Sequence, residues 1–346
     1  MQHSQSILHS DPLLHSLAVR WLDPASSPEL IQRLNQSAGV SSCKHLTDYG
    51  GFHSQKNAFW FFEPLEESST VLGLERAKLL GLRIRVRGAG HSMNGSSLPM
   101  KGQILLSTLQ LNQLEQLHRD VIEVGAGAQI WQLNQVLMKH ELALPVIHDG
   151  ELPASTVGGF VCAGGFGASS STFGGFWNHI FKIRIWDPKQ GLVDLTPDQK
   201  KFWHICGSGG FDGVILSVQL RVIGSGYLPQ SYRVTMKSVE HPRIIWFTII
   251  APKSRSIILK REISKLHLRI MNNWEPLMPY SYLIKYLETP TPVNFHPVQE
   301  SDLIACGVWG TIKQESQFEL TSALSLVKQS IENVPDSVRY WQSELI

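Results

Sequence analysis

Two glycine-rich segments constrain the fold of this chain more than any other feature of its sequence. The first, residues 87–97, reads RGAGHSMNGSS and directly follows a predicted strand. The second, residues 155–167, contains two glycine pairs and one further glycine. Glycine loses more backbone freedom on folding than any other residue, so such segments need a compensating interaction. They indicate either tight turns at a crowded packing point or close approach of the backbone to a large ligand.

The elements around these segments predict a mixed α/β region that ends near residue 223. Apolar patterns predict strands at 82–86, 104–106, 121–124, 180–186 and 214–222, and a one-sided apolar stripe predicts a helix at 129–140. A length of 346 residues favours two domains. We expect a helical N-terminal segment at 1–45, a first domain at 46–223 and a short α+β domain at 224–346.

The first glycine segment differs from the dinucleotide fingerprint of Rossmann folds. That fingerprint is GxGxxG running into a helix, whereas His, Ser, Met and Asn intervene here and a strand comes next. A nicotinamide cofactor is therefore disfavoured. Glycines nevertheless let backbone N–H groups surround an anion such as a diphosphate.

The ordered combination of motifs is more specific than any one of them. RGAGHSMNG, VGAGA, STVGG…GGFG and GSGGFDGVI follow one another within about residues 46–223. This order resembles the FAD-binding domain of the vanillyl-alcohol-oxidase and p-cresol methylhydroxylase flavoprotein family. The GHS-x-N-G loop is similar to that of cytokinin dehydrogenases and of sugar-lactone and alditol oxidases, and the stretch from TVGG to FGGFWNHI is similar to decaprenylphosphoryl-ribose oxidase.

The resemblance implies an α+β fold with a two-subdomain FAD-binding domain of the p-cresol methylhydroxylase type and a short α+β substrate domain. It also implies an FAD-dependent oxidoreductase, either oxidase or dehydrogenase. Such an enzyme takes hydride from a C–H bond of an alcohol, a sugar derivative or an amine and passes the electrons to oxygen or another acceptor. The alternative is a flavin-binding protein or subunit without independent turnover.

Cofactor-binding residues follow from the resemblance in three groups. Around the FAD diphosphate it places Arg87, Gly88, Ala89, Gly90, His91, Ser92, Asn94 and Gly95. Against the flavin ring and diphosphate it places Thr156, Val157, Gly158 and Gly159, with Cys162, Gly165 and Phe166 on the same side. The backbone of Val214 and Ile215 is expected to meet the adenosine or the ring edge.

His91 occupies the position at which relatives with covalently attached flavin place the histidine bonded to the isoalloxazine 8α-methyl group. The resemblance therefore implies a histidyl-linked FAD, and the alternative is a histidine that only hydrogen-bonds the cofactor. Doubly tethered relatives also use a cysteine, but Cys162 follows TVGG and does not match its position. We expect no second covalent bond.

Asp149 is the candidate catalytic residue, because it precedes TVGG where cytokinin dehydrogenases have an aspartate that accepts a substrate N–H proton. A general base must lie within hydrogen-bond reach of that proton. The run from Asp149 to Val157 is two residues longer than in that family, so a plain turn aspartate before Gly150 is the alternative.

Charge and cysteine usage exclude several classes of partner. A net charge of +2, from 31 basic and 29 acidic residues, leaves no field to attract nucleic acid. The alternating Arg83, Arg85 and Arg87 either serve a small anionic ligand or form the solvated face of a strand. The four cysteines include no CxxC pair, which argues against a metal site. No apolar window approaches the ~20 residues of a membrane helix, and no signal peptide is apparent, so a cytoplasmic location is expected.

The region after Gly224 offers no motif from which substrate residues can be assigned. Its candidates belong either to a pocket or to the core, and they are Trp274, Tyr280, Tyr282, Tyr286, His296 and Trp309. The resemblance implies a C-terminal segment that returns to the flavin domain, and none follows Ile346 here. We expect a reduced substrate domain, a partner chain that completes the site, or a degraded relative.

Overall fold

The chain folds into mixed helix and sheet, with three main sheets in the part that can be described. A computed structural model describes residues 11–40, 43–147, 155–167, 169–210, 212–227, 244–270, 274–287, 292, 302–312, 325–326, 328–330 and 332–340.

The first sheet has three parallel strands and one antiparallel edge strand. Its order is β1 (Arg20–Leu22), β4 (Phe59–Phe62), β6 (Gln103–Ser107) and β5 (Arg83–Arg87). The two central strands are buried along their whole length, as parallel strands covered on both faces are.

Helices cover both faces of this sheet. Trp60 and its neighbours pack against α3 (Glu67–Leu79), while Phe61 packs against α2 (Pro28–Ser37). The 1–45 segment thus carries β1, which pairs with β4. The division of the chain at residues 46 and 224 stays a prediction.

The second sheet is antiparallel throughout and follows the motif-rich middle of the chain. It is covered by α4 (Ile130–Met138) and α5 (Val157–Ala163), which share one large core with it. Its strands, in spatial order, are β11 (Gly191–Leu195), β10 (Ile180–Asp187), β12 (Val214–Arg221), β8 (Val121–Gly125) and β7 (Leu114–His118).

The third sheet forms the C-terminal unit and packs against α8 (Ser256–Ile270). Its longest strand, β15 (Trp274–Ile284), was not predicted, because two prolines, a glutamate and a serine interrupt the apolar pattern. The strands, in spatial order, are β15 (Trp274–Ile284), β16 (Leu303–Ile312), β14 (Ile244–Pro252) and β17 (Val338–Tyr340).

Short elements connect these layers. The helices are α1 (Pro12–Ser16), α6 (Ser170–Phe173) and α7 (Lys200–Ile205), with 3-10 turns at Pro24–Ser26, Phe176–His179, Ser225–Tyr227 and Lys253–Arg255. The short strands are β2 (Leu46–Thr47), β3 (Ser54–Gln55), β9 (Leu142–Ala143) and β13 (Ile223–Gly224).

The second glycine segment, for which the sequence indicated tight turns or close approach to a ligand, contains a regular helix. Val157–Ala163 is an α-helix that starts at Thr156, whose hydroxyl accepts a hydrogen bond from the Gly159 amide, and ends at Gly164 with φ 67°. An N-cap threonine and a left-handed glycine at the other end define a helix even when glycines lie inside it. Asp149 lies outside the described residues.

Candidate functional site

A cavity of about 530 Å³ lies where the three sheets approach one another. One side is formed by the edge of β5 and by the loop after it, residues 88–97. Helix α5 and the turn before β12 form a second side, and side chains of β14 and β15 form a third. Both glycine segments therefore face the same space.

Arg87 holds the loop from beneath and does not line the cavity. Its guanidinium is fully buried and donates to the carbonyl oxygens of Leu34 and Thr47, at 2.9 and 3.0 Å, and to the Ser97 hydroxyl. Gly90 has φ 85°, and an added Cβ would lie 2.2 Å from the Arg87 guanidinium carbon. The backbone of the first glycine segment therefore passes close to the guanidinium of Arg87, whose side chain belongs to the core.

Asp48, which the sequence did not single out, anchors the other end of the loop. Its carboxylate accepts hydrogen bonds from the Gly95 amide at 2.8 Å and the Gly51 amide at 3.1 Å. Burial raises the pKa of Asp48 to about 7, although both amides and the nearby Arg87 charge favour the ionised form. Asp48 and Arg87 together fix the loop on its inner side.

His91 lines the cavity, and its ring is held by contacts with Tyr49 and Ala38. Its ring stacks on Tyr49 with the centroids 4.1 Å apart, and Nδ1 lies 3.3 Å from the Ala38 carbonyl oxygen. A carbonyl oxygen can only accept, so Nδ1 carries the proton of the neutral ring and Nε2 carries the lone pair. The Tyr49 amide in turn donates to the carbonyl oxygens of Gly90 and Ser92.

The two glycine segments touch at Gly88, where the Thr156 side chain leaves no room for a Cβ. A Cβ added to Gly88 would lie 2.3 Å from the Thr156 hydroxyl oxygen, and one added to Gly158 would lie 2.9 Å from the Ala126 Cβ. These glycines let the loop, α5 and the VGAGA turn pack against one another beside the cavity.

The loop also offers donors to a ligand. Among the described residues, the backbone amides of Ala89, Gly90 and Ser92 donate to no protein acceptor, and all three residues line the cavity. Backbone N–H groups are strong donors that otherwise find partners, and successive ones suit an anion. This donor set fits a diphosphate.

A turn rich in left-handed glycines closes the cavity beside α5. The Gly207 and Gly209 amides donate to the carbonyl oxygens of Val161 and Cys162, which are left open at the end of the helix. The Cys162 thiol lines the cavity near Ser208, and burial raises its pKa to about 12. It is therefore a neutral thiol.

The wall contributed by the third sheet is aromatic. The Tyr280 hydroxyl donates to the Phe247 carbonyl at 3.0 Å, accepts from the Trp246 indole N–H at 2.5 Å and contacts the Thr248 hydroxyl. Tyr282 lies 5.4 Å from Tyr280, between ring centroids. The Tyr280 hydroxyl is thus engaged within the protein, and the aromatic rings line this wall.

Most predicted cofactor residues line the cavity, and their contact with FAD stays a prediction. Those that line it are Gly88, Ala89, Gly90, His91, Ser92, Asn94, Thr156, Gly158, Gly159, Cys162, Phe166 and Ile215. The others support it from behind, and they are Arg87, Gly95, Val157, Gly165 and Val214. Of the aromatic candidates, Tyr280 and Tyr282 line the cavity.

Several residues of the site carry no signal in the sequence. Asp48 and Tyr49 precede two glycines and look like any turn, while Trp246 and Thr248 sit in an ordinary apolar strand. Arg83 and Arg85 also line the cavity, and for these two the sequence did offer a signal, the alternation of arginines along a strand. Over the described ranges, no group of side chains has the composition of a metal site. The described helices also include none with the length and apolar character needed to cross a bilayer.

Comparison with known proteins gives one family and several relatives. Residues 62–196 match the family described as FAD binding domain. The chain is 27% identical over 172 residues to berberine bridge enzyme-like 25 of Arabidopsis thaliana, covering 47% of this chain and 31% of that protein. It is 26% identical over 166 residues to tetrahydroberberine oxidase of Berberis wilsoniae, covering 46% and 31%.

A third relative and a solved structure complete the comparison. The chain is 29% identical over 185 residues to D-lactate dehydrogenase of Archaeoglobus fulgidus, covering 51% of this chain and 40% of that protein. The matched stretches thus span 31% to 40% of these relatives. The structure of Physcomitrella patens BBE-like 1 aligns with TM-score 0.49 and 18% identity, over 94% of this chain and 60% of that one.

Proposed function

We propose that residues 62–196, which match the family described as FAD binding domain, belong to the vanillyl-alcohol-oxidase and p-cresol methylhydroxylase flavoprotein family, and that this protein is an FAD-dependent oxidoreductase. It takes hydride from a C–H bond of an alcohol, a sugar derivative or an amine. The observation that supports this most directly is the cavity, which has diphosphate donors at one wall and aromatic rings at another. A site that only stored flavin would not need the second wall.

The residues of the chain bind and orient in this proposal. FAD, when bound, supplies the electron chemistry by accepting hydride. The amides of Ala89, Gly90 and Ser92 would hold its diphosphate, and the backbone of α5 would approach its ring through Gly158 and Gly159. Trp246, Tyr280 and Tyr282 would pack on the substrate and exclude water.

His91 is proposed to link the flavin covalently through Nε2. The Ala38 carbonyl holds the proton on Nδ1, and stacking on Tyr49 limits rotation of the ring. This leaves the lone pair on Nε2, which would replace one hydrogen of the flavin 8α-methyl group. The proton of that C–H bond would go to solvent, and its two electrons would go to oxygen or the other acceptor that the proposal names.

Further parts of the proposal concern the architecture and the surroundings of the site. The first and second sheets would be the two subdomains of the FAD-binding domain, and the third sheet the substrate domain. Oxygen or another acceptor would reoxidise the flavin, and a partner chain could complete the substrate site. We propose a cytoplasmic location.

An absorption spectrum of the purified protein before and after acid precipitation tests flavin content and linkage together. We expect a flavin spectrum whose yellow colour stays with the precipitate, and release of that colour from the His91→Ala variant. Colour released from the unsubstituted protein would contradict the linkage alone. A colourless protein that takes up no FAD would contradict the proposed function.

Turnover is tested by anaerobic titration with candidate alcohols, sugar derivatives and amines. Bleaching of the flavin absorbance by a member of one class, followed by recovery on admission of oxygen, is the expected result. No bleaching with any class would support the alternative, a flavin-binding protein or subunit without independent turnover.

A further inference from the structure

Arg85 is a cavity-lining cation in surroundings that do not neutralise it. It lies on β5 two residues before Arg87, and its side chain is half-buried. Its Nη1 donates to the Ser96 carbonyl oxygen over 3.3 Å, and its Nε is buried without an acceptor among the described residues. Most of the donors of this guanidinium are therefore left for another molecule.

Other arginines of the chain have a carboxylate partner, which is the contact that Arg85 lacks among the described residues. Arg33, Arg76 and Arg184 each pair with a carboxylate, at 2.5 to 2.8 Å. No such pair involves Arg85 in the described part of the chain, and burial alone lowers its pKa, with no carboxylate opposing the shift. A cation moved out of water without a counter-charge destabilises the fold, and a bound anion offsets that cost.

The position of Arg85 indicates which anion this is. Its contact with Ser96 puts it beside the last residues of the loop whose Ala89, Gly90 and Ser92 amides lack protein acceptors. A diphosphate that accepts from those amides brings its charge to the same wall of the cavity. Arginine suits phosphate oxygens because its planar fork donates two parallel hydrogen bonds.

We infer that Arg85 is the cationic contact of the FAD diphosphate. This inference rests on the proposed function, and it gives the two arginines of β5 different roles. Arg87 holds the loop from inside the core, whereas Arg85 neutralises the ligand. The alternating arginines are thus more than the solvated face of a strand.

The test compares ligands with and without the diphosphate. In the His91→Ala background, where flavin can be removed, apo-protein is titrated with FAD and with riboflavin, with Arg85→Met and Arg85→Lys as variants. A lost charge-assisted contact raises the FAD dissociation constant on the order of 10- to 100-fold. We expect this for Arg85→Met, a smaller rise for Arg85→Lys, and a riboflavin constant within about twofold in both.

Arg20→Met is the matched control, because Arg20 lies on the opposite edge strand of the same sheet, over the Phe61 ring and away from the cavity. It should leave both dissociation constants unchanged. Thermal unfolding of each apo variant checks the fold, and Arg85→Lys carries the test if Arg85→Met does not fold.

The outcomes separate the inference from the proposed function. Equal weakening of FAD and riboflavin would show that Arg85 only braces the loop through Ser96, and unchanged FAD binding would show that it does not meet the diphosphate. Either result overturns the inference and leaves the proposed function standing. Apo-protein that binds no FAD even without the Arg85 substitution overturns both.

Discussion

Replacing Gly88 by alanine tests whether the two glycine segments are packed as described. The new Cβ would lie 2.3 Å from the Thr156 hydroxyl oxygen, which also caps α5 by accepting from the Gly159 amide. Overpacking costs about 1–3 kcal/mol and a lost N-cap about 1 kcal/mol. Alanine also lowers the conformational entropy of the unfolded chain relative to glycine, which stabilises the fold by about 0.4–1 kcal/mol. We expect a net loss of about 1–3 kcal/mol for Gly88→Ala.

The companion variant Thr156→Ala makes this prediction sharper. Alone it loses the cap and costs about 1 kcal/mol. In the double variant the hydroxyl that clashes with the new Cβ is absent, so we expect a total loss of only about 0–1 kcal/mol. Adding Thr156→Ala should therefore restore stability to Gly88→Ala, and the two changes should be far from additive.

Urea denaturation of the four proteins, each prepared in the His91→Ala background and freed of flavin, gives these free energies. Gly226→Ala is the matched glycine control, since nothing lies within 4 Å of its added Cβ, and it should be neutral or slightly stabilising. If Thr156→Ala instead destabilises Gly88→Ala further, by as much as it destabilises the parent, the contact between the segments is refuted.

Three further predictions concern buried groups around the loop. Arg87→Met should cost about 3–5 kcal/mol in urea denaturation, because it leaves buried partners unpaired. Arg255→Met, at the exposed ion pair with Asp336, should cost about 0–1 kcal/mol, and similar losses for the two variants would contradict the structural role of Arg87. For Asp48, the folded pKa near 7 exceeds the ordinary 3.8, so its contribution to stability is present at pH 4 and lost as the pH rises to 7. The parent should lose up to about 4 kcal/mol relative to Asp48→Asn over that range, and a pH-independent difference would contradict this. Cys162, whose thiol has a pKa near 12, should resist iodoacetamide at pH 8 in the native protein, and rapid labelling detected by mass spectrometry would show an exposed thiolate instead.

The sequence marked the two segments that line the cavity, for a physical reason. Close backbone packing requires glycine, so the glycine-rich segments 87–97 and 155–167 can be recognised in the sequence as places where the backbone packs closely. The left-handed Gly81 likewise follows the end of α3, where a residue with a side chain would be strained. The sequence did not predict α5, because glycines are unfavourable inside helices and the apolar pattern is short. The N-cap Thr156 and the left-handed Gly164 are the features that define this helix.

The rest of the site could not be predicted because it depends on contacts between distant parts of the chain. Asp48 reaches Gly95 across 47 residues, and Ala38 reaches His91 across 53. Nothing local distinguishes such residues from those of ordinary turns. Arg85 and Arg87 show the same limit. They are neighbours on one face of a strand and look alike in the sequence, yet Arg87 donates to carbonyl oxygens in the core and Arg85 donates to Ser96 beside the cavity.

The place of β5 at the edge of the first sheet has a consequence for how the protein is made. Four successive residues of β5, from Arg83 to Val86, line the cavity, so a ligand there covers one side of a strand that has a neighbour only on the other. Open strand edges are where chains join one another into aggregates. A newly made chain that finds FAD late is therefore at greater risk of self-association, and the supply of flavin during synthesis becomes a determinant of soluble yield.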